Sequence, residues 1–409
     1  MEPLTVLYLF YSFIAFYFLF LYILVYSQNR KDLYEYIKPN KNYSLSIVVP
    51  CFNEADSIGK NIKGLLDSNY KGLKKIYIVD DCSTDNSFEI IKEYAKKYSK
   101  VIALKTPKNT GRAAGAKIYG AKFVKTKLIG FSDADSFPSK DAIEKMVGYF
   151  NDEKTGAVTS RVLVFNRVNY LSRIQAIEYK IIAFTRKLLG FLDSIYVTNG
   201  PLSIYRKTAY DDVKGFKLNN LTEDIEITWN IVAHGWKVEM ALPAKVTTVV
   251  PEKTGEWFKQ RIRWNVGGIQ TVYQYRKKIR NTGMLGLFIM PYFIFSWIIG
   301  LTGLAFLVYR LTEYFMAKYL VAKYSVAAQV AIIRLDDFSL NPSILFFFGM
   351  LLFSLGLAYT ITALVHSRGK EYGRPTVKDI FIYSFFYLIM YPPLLIYSFY
   401  KFLRGKETW

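Results

Sequence analysis

Three acidic sites and one basic-aromatic motif stand in a fixed order along this chain: Asp80-Asp81, Asp133-Ala134-Asp135, Thr222-Glu223-Asp224, then Gln260-Arg261-Ile262-Arg263-Trp264. A carboxylate such as Asp81 can accept from the N3–H of uracil and so select uridine over cytidine. The same stretch, Asp80 to Asp85, would also make an Asx turn leading to a helix capped by Thr84. Mg²⁺ or Mn²⁺ takes oxygen ligands from one or two carboxylates plus substrate phosphates, so Asp133 and Asp135 could neutralise a leaving diphosphate. Alternation along extended backbone puts the two on opposite sides, so only one need touch the metal; a solvated turn is the other reading. Asp224 can serve as general base for an acceptor hydroxyl. Thr222 as N-cap, with Glu223, Asp224 and Glu226 opposing a helix dipole, explains the same residues structurally. Gln260, Arg263 and Trp264 share one face if 255–278 is helical. Trp264 is then a platform for a sugar ring, Arg263 a bidentate contact to diphosphate oxygens, and Gln260 a hydrogen-bonding group for either. An interfacial helix with a snorkelling Arg and an anchoring Trp fits that pattern too. Pro50-Cys51-Phe52-Asn53-Glu54 is either a polar loop able to hold a nucleoside or an ordinary turn into a helix.

These groups need a frame, and residues 45–135 alternate strand and helix signals. Strand-like runs fall at 45–50, 75–80, 101–104 and 128–131, with helical patterns at 55–67, 84–98 and 112–125. Such alternation predicts βαβ units and a mostly parallel sheet with helices on both faces. Ligands of these sheets bind at the carboxyl ends of strands, where the acidic pairs fall. Residues 170–190 alternate apolar and basic positions at helical spacing, which suits a helix on a membrane surface and a packed core helix equally. No internal repeat or low-complexity linker is evident.

The apolar residues, 52% of the chain, concentrate at its two ends. Residues 3–26 carry no charge, which is long enough to cross a bilayer core of about 30 Å. The stretch lacks a basic start and a small-residue cleavage site, so a retained helix is expected over a cleaved signal. Further spans are expected at 284–309, 343–365 and 379–400, with Pro291 and Pro392-Pro393 inside two of them. Lys318, Lys323 and Arg334 interrupt 311–333, which predicts a surface amphipathic helix there. The net charge is +21. Its clusters (Arg30 to Lys41, Arg276 to Arg280, Arg368 to Lys378) border the spans, so a membrane explains them better than nucleic acid does. The positive-inside rule then puts 27–283 in the cytoplasm and the N-terminus and the 310–342 loop outside. The tail with Lys401, Arg404 and Lys406 would also face out, against that rule. Cys51 and Cys82 read as packing residues. His234 and His366 build neither a metal cluster nor a Ser-His-Asp site.

With these residues in hand, roughly 43–280 resembles the membrane-integrated family-2 glycosyltransferases. The likeness is strongest to the processive poly-N-acetylglucosamine, hyaluronan, chitin and cellulose synthases, and Arg173-Ile-Gln-Ala-Ile-Glu-Tyr179 resembles the first of these. The resemblance implies a GT-A fold, inversion at the anomeric carbon, a UDP-sugar donor and Mg²⁺ or Mn²⁺. It implies Asp135 at the metal, Asp224 as base, and Glu54, Asp81, Arg112, Asp133, Gln260 and Arg263 on the donor. Glu223 and Trp264 would face the acceptor. The expected organisation is a membrane helix at 1–27, a cytoplasmic catalytic domain at 28–250, an interfacial helix at 251–283 and a membrane region of about three spans at 284–409. The whole would be a multi-pass protein of the cell membrane, in contact with its lipids. Four spans are fewer than in cellulose-synthase-like members, and no gating loop of their type follows Trp264, although 366–378 is a basic loop. Three functions compete: extension of a polysaccharide, with or without export; transfer of one sugar to a lipid such as a polyprenyl phosphate; and a non-enzymatic basic binding domain. The last leaves the acidic sites unexplained. A channel built from four helices would call for a homo-oligomer.

Overall fold

The computed structural model describes residues 3–328, 344–366 and 375–405. Its centre is one eight-stranded sheet in the order β3-β2-β1-β4-β7-β6-β8-β5. The strands are β1 (Leu45–Cys51), β2 (Leu73–Asp80), β3 (Val101–Lys105), β4 (Leu128–Phe131), β5 (Ser136–Pro138), β6 (Thr155–Val164), β7 (Ser203–Arg206) and β8 (Lys237–Thr248). β1 to β4 are parallel neighbours, as the alternating signals predict. The second half is mixed: β7 is antiparallel to β4 and β6, β6 and β8 run parallel, and β5 closes the edge antiparallel to β8.

β1 is buried along its whole length because helices cover both faces. Its side chains divide by the period of two. Ile47 and Val49 enter one core with Ile58 and Ile62 of α2 (Ile58–Leu66) and Ile91 of α3 (Ser87–Lys97). Val48 enters the other with Ala116 of α4 (Ala113–Ala121). α5 (Ala142–Val147) joins the first core. α6 (Tyr170–Gly190) and α8 (Glu223–Ala233) join the second, with α7 (Lys207–Asp212) between them in sequence. α9 (Thr254–Tyr275) carries the basic-aromatic motif.

α6 is a packed helix. Leu188 and Leu189 are buried in the core beneath the sheet, and its outer face meets the long apolar helices. Among the described residues three helices are long and apolar enough to cross a membrane: Thr5–Asn29 of α1 (Pro3–Asn29), Leu285–Ala328 and Val377–Arg404, the last being α12. α11 (Ile344–His366) lies against α1, where Tyr26 Oη meets His366 Nε2 at 2.6 Å. Two sequence expectations are corrected. Residues 311–328 do not form a separate surface helix but continue α10 (Met290–Ala328), because no proline follows Pro291 as far as Ala328. Pro291 itself follows a π-helical turn, Leu285–Ile289, at the head of α10 and so interrupts no α-helical ladder. Thr84 does not cap α3; Asn86 holds that position, and the Thr84 hydroxyl instead donates to Asn53 Oδ1 at 3.2 Å. Arg334, Arg368, Lys370, Arg374 and Lys406, used in the charge argument, lie outside the described residues.

Candidate active site

One cavity of about 840 Å³ opens at the carboxyl ends of the parallel strands and runs to the long apolar helices. Glu54, Asp81, Arg112, Asp133, Asp135, Glu223, Asp224, Gln260, Arg263 and Trp264 all line it. Every candidate residue named from the sequence is therefore brought to one place, from segments as far apart as the first strand and α9.

The loops after β1 and β2 form its rim. Asn53 and Cys82 both adopt left-handed backbone, φ 54° and 63°. Cross-bonds hold these turns: Asn53 N donates to Ser83 Oγ at 3.0 Å and Thr84 N to Asn53 Oδ1 at 2.8 Å. Strain of this kind persists only where the surroundings impose it. Asp81 accepts from Thr106 Oγ1 and Thr110 Oγ1, both at 2.7 Å, and from the Thr110 amide. Three donors on a group with about four lone-pair directions leave room for one more. Arg112 donates to the carbonyls of Leu218 and Asn220, tying this rim to the loop before α8. Cys51 is no nucleophile, since burial pushes its thiol up to about 12.

Asp133 and Asp135 follow β4 and take different partners. Asp133 pairs with Lys117 at 3.3 Å. Gly200 allows it to sit there, because a Cβ at 200 would lie 2.3 Å from Asp133 Oδ2. Asp135 accepts from Ser136 Oγ at 3.0 Å and Thr248 Oγ1 at 3.3 Å. Burial, with the charges of Asp133 and Glu54, pushes its carboxyl up to about 7. Burial raises Glu54 as well, against the Ser57 hydroxyl that donates to it. Carboxylates that oppose one another's ionisation fit a hard divalent cation. Among the described residues no cluster of three ligating side chains could hold a cation alone, so substrate phosphates would have to complete the shell.

Lys117 is the group the sequence reading missed. It is 3% exposed and bridges Asp133 to Glu223, at 2.9 Å from Glu223 Oε1. Its only signal was one charge in the Ala- and Gly-rich run Ala113-Ala-Gly-Ala-Lys117. Thr222 occupies the N-cap of α8 without a side-chain cap bond; its hydroxyl donates to Asn220. Asp224 follows, and burial with the Glu223 charge pushes its carboxyl up to about 6.

On α9, Arg261 rather than Arg263 makes the structural pairing. Its guanidinium donates to Glu178 of α6, with Nε 3.2 Å from Oε1, and its Cζ lies 4.2 Å from the Trp264 ring centroid. That buried pair docks α9 on α6 and presents Trp264 beside Tyr179, ring centroids 6.4 Å apart. Arg263 is exposed toward the cavity, and Gln260 accepts from Arg261.

A mixed sheet with acidic groups at the ends of its parallel strands, and a basic-aromatic helix across the mouth, defines a GT-A-type glycosyltransferase. Residues 46–214 match the Glycosyl transferase family 2 model, so this stretch is a family 2 glycosyltransferase domain. It is 28% identical over 278 residues to a poly-beta-1,6-N-acetyl-D-glucosamine synthase of Staphylococcus aureus, over 68% of this chain and 66% of that one. It is 30% identical over 251 residues to the Staphylococcus epidermidis synthase of the same name, over 61% of this chain and 60% of that one. The matches thus span 66% and 60% of these two relatives, less than two thirds of either. In fold it is similar to a mannosyltransferase of Pyrobaculum calidifontis solved with GDP-Man and Mn²⁺: TM-score 0.58, 16% identity, 87% of this chain and 97% of that one.

Proposed function

We propose that this protein is an inverting glycosyltransferase that moves a sugar from a UDP-sugar to a growing polysaccharide at the cytoplasmic face of the cell membrane. The observation that carries the reading is the single cavity in which the acidic sites, Trp264 and the long apolar helices meet. The names of the staphylococcal relatives support the polymer product.

In this reading 28–250 is the catalytic domain, 251–283 the interfacial segment, and 1–27 and 284–409 the membrane regions. Asp81 takes the uracil with its remaining acceptor direction, beside Glu54 and Arg112. Asp133, Gln260 and Arg263 hold the diphosphate. Asp135 would hold Mg²⁺ or Mn²⁺, which when bound neutralises charge on the leaving phosphates. Trp264 and Glu223 orient the acceptor sugar. Asp224 takes the proton of the acceptor hydroxyl as its oxygen bonds to the anomeric carbon; the bond from that carbon to the diphosphate oxygen breaks, and UDP leaves with the electron pair. Attack opposite the leaving group inverts the centre. Lys117 keeps Glu223 charged and, by bridging it to Asp133, holds both acids in place beside Asp224.

The test is a radiolabelled transfer assay with the purified full chain in lipid, offered UDP-GlcNAc, UDP-Glc, UDP-GlcA and UDP-Gal separately. A ladder of products with one donor is expected; no transfer from any of them would overturn the reading. A second reading, one sugar added to a membrane lipid, is favoured by the small number of spanning helices among the described residues. A lone product of that kind would replace the first. The polymer reading also calls for a second copy of the chain, since so few helices enclose little space.

A further inference from the structure

The cavity holds three buried cations, and two are matched by acids. Lys117 has Asp133 and Glu223, and Arg261 has Glu178. The third, Arg186 of α6, is 8% exposed, and among the described residues no carboxylate lies within ion-pair distance of it. Its Nη1 donates to Asn199 Oδ1, and the Tyr196 hydroxyl is within hydrogen-bonding reach. Both partners are neutral, and the Asp224 carboxylate acts on the guanidinium only from beyond ion-pair distance. Its Nε is buried with no partner at all. Asn199 is not free to adapt, because its amide donates to Ser160 O at 3.0 Å and its backbone N to Thr159 Oγ1 at 3.0 Å. A guanidinium stays charged in proteins, and a charge removed from water is stable only beside an opposite one.

The surroundings indicate which anion. Tyr196 packs edge-on to Phe293 of α10 at 5.1 Å, and Phe293 stacks on Trp297 at 6.0 Å. Arg186, Tyr196, Phe293, Trp297 and Leu394 line the same cavity as Asp224. One end of a molecule lying here therefore meets the base, while its charged part meets Arg186 and its apolar part the long helices. The fork of Arg donors matches phosphate oxygens.

We propose that Arg186 receives the phosphate of a lipid-linked acceptor, so that the saccharide extended at Asp224 is carried on a lipid phosphate. The proposal rests on the sugar-transfer reading and names its acceptor class.

The test is binding to the full chain in detergent, with farnesyl phosphate, farnesol, inorganic phosphate, glucuronate and UDP as probes. Farnesyl phosphate should bind at least tenfold more tightly than farnesol, inorganic phosphate or glucuronate. Arg186→Gln should abolish that preference, and Arg186→Lys should keep part of it. Equal binding of farnesyl phosphate and farnesol to the wild type overturns the proposal, and that comparison stands even if the glutamine variant does not fold. Inorganic phosphate or glucuronate binding as well as the lipid overturns it too, because the apolar wall would then contribute nothing. A loss in Arg186→Gln that falls on UDP instead would assign the guanidinium to the donor. UDP release by the wild type separates the two failures. An active enzyme without the lipid-phosphate preference sinks the acceptor class alone; no release from any UDP-sugar sinks the transfer reading and the proposal with it.

Discussion

Lys117 and Glu223 are joined at 2.9 Å although 106 residues separate them. The bond divides two adjacent acids. The Lys117 charge holds Glu223 below the usual carboxylate range against its burial, while burial and the Glu223 charge push Asp224 up to about 6. A base must be ionised to act, so turnover should rise with pH through about 6 and level off above it. A pH profile of kcat flat from 5 to 8 would remove Asp224 from that role.

Stability should run the other way. A carboxyl raised in the folded state contributes stability below its ordinary value near 4, and that contribution is lost as pH rises through about 6. Asp224→Asn should therefore be more stable than wild type at pH 7.5, by ~1–2 kcal/mol after allowance for partial exposure. The gain should vanish near pH 4. The same variant should lose about 10²–10⁴-fold in kcat with donor KM largely kept. Paired melting and kinetic measurements check both; wild-type turnover would leave Asp224 a helix-dipole residue only.

Lys117→Met should be strongly destabilising, because it leaves Asp133 and Glu223 without their shared counter-charge. Breaking a buried pair costs ~3–5 kcal/mol. Denaturant unfolding in detergent measures it, and a change below about 1 kcal/mol would mean the two acids find other partners.

Metal removal is a further check. With burial and the charges of Asp133 and Glu54 raising Asp135, EDTA should abolish transfer and Mn²⁺ or Mg²⁺ should restore it. Full activity in excess chelator would exclude a metal at Asp135.

Trp264→Ala should separate acceptor use from donor chemistry. Losing the ring removes stacking and burial on the order of a few kcal/mol. Polymer formation should fall sharply while slow UDP-sugar hydrolysis, which needs no acceptor, persists. Equal loss of both would make Trp264 a support for Arg261, whose guanidinium it covers.

Much of the parallel half of the sheet was legible in the linear chain. Strand signals at 45–50, 75–80, 101–104 and 128–131 correspond to β1 to β4, and the acids beyond them fall at strand ends by connectivity alone. The helix over 255–278, with Gln260, Arg263 and Trp264 on one face, was equally local. The antiparallel half of the sheet was not read. β6 is buried along its length and shows no alternation, and β5 is only three residues long. The surface helix expected at 311–333 is instead a continuation of α10 as far as Ala328, because charges at helical spacing look alike on a surface helix and on an extension of a spanning one. Only the tertiary structure decided which cations are matched. Lys117 meets Glu223 and Arg261 meets Glu178 across 106 and 83 residues, while among the described residues Arg186 makes no ion pair and its Nε has no partner. Sequence periodicity tells which face of a helix is apolar, but a charge on that face finds or lacks its partner only when helices dock, and docking depends on contacts that no local pattern encodes.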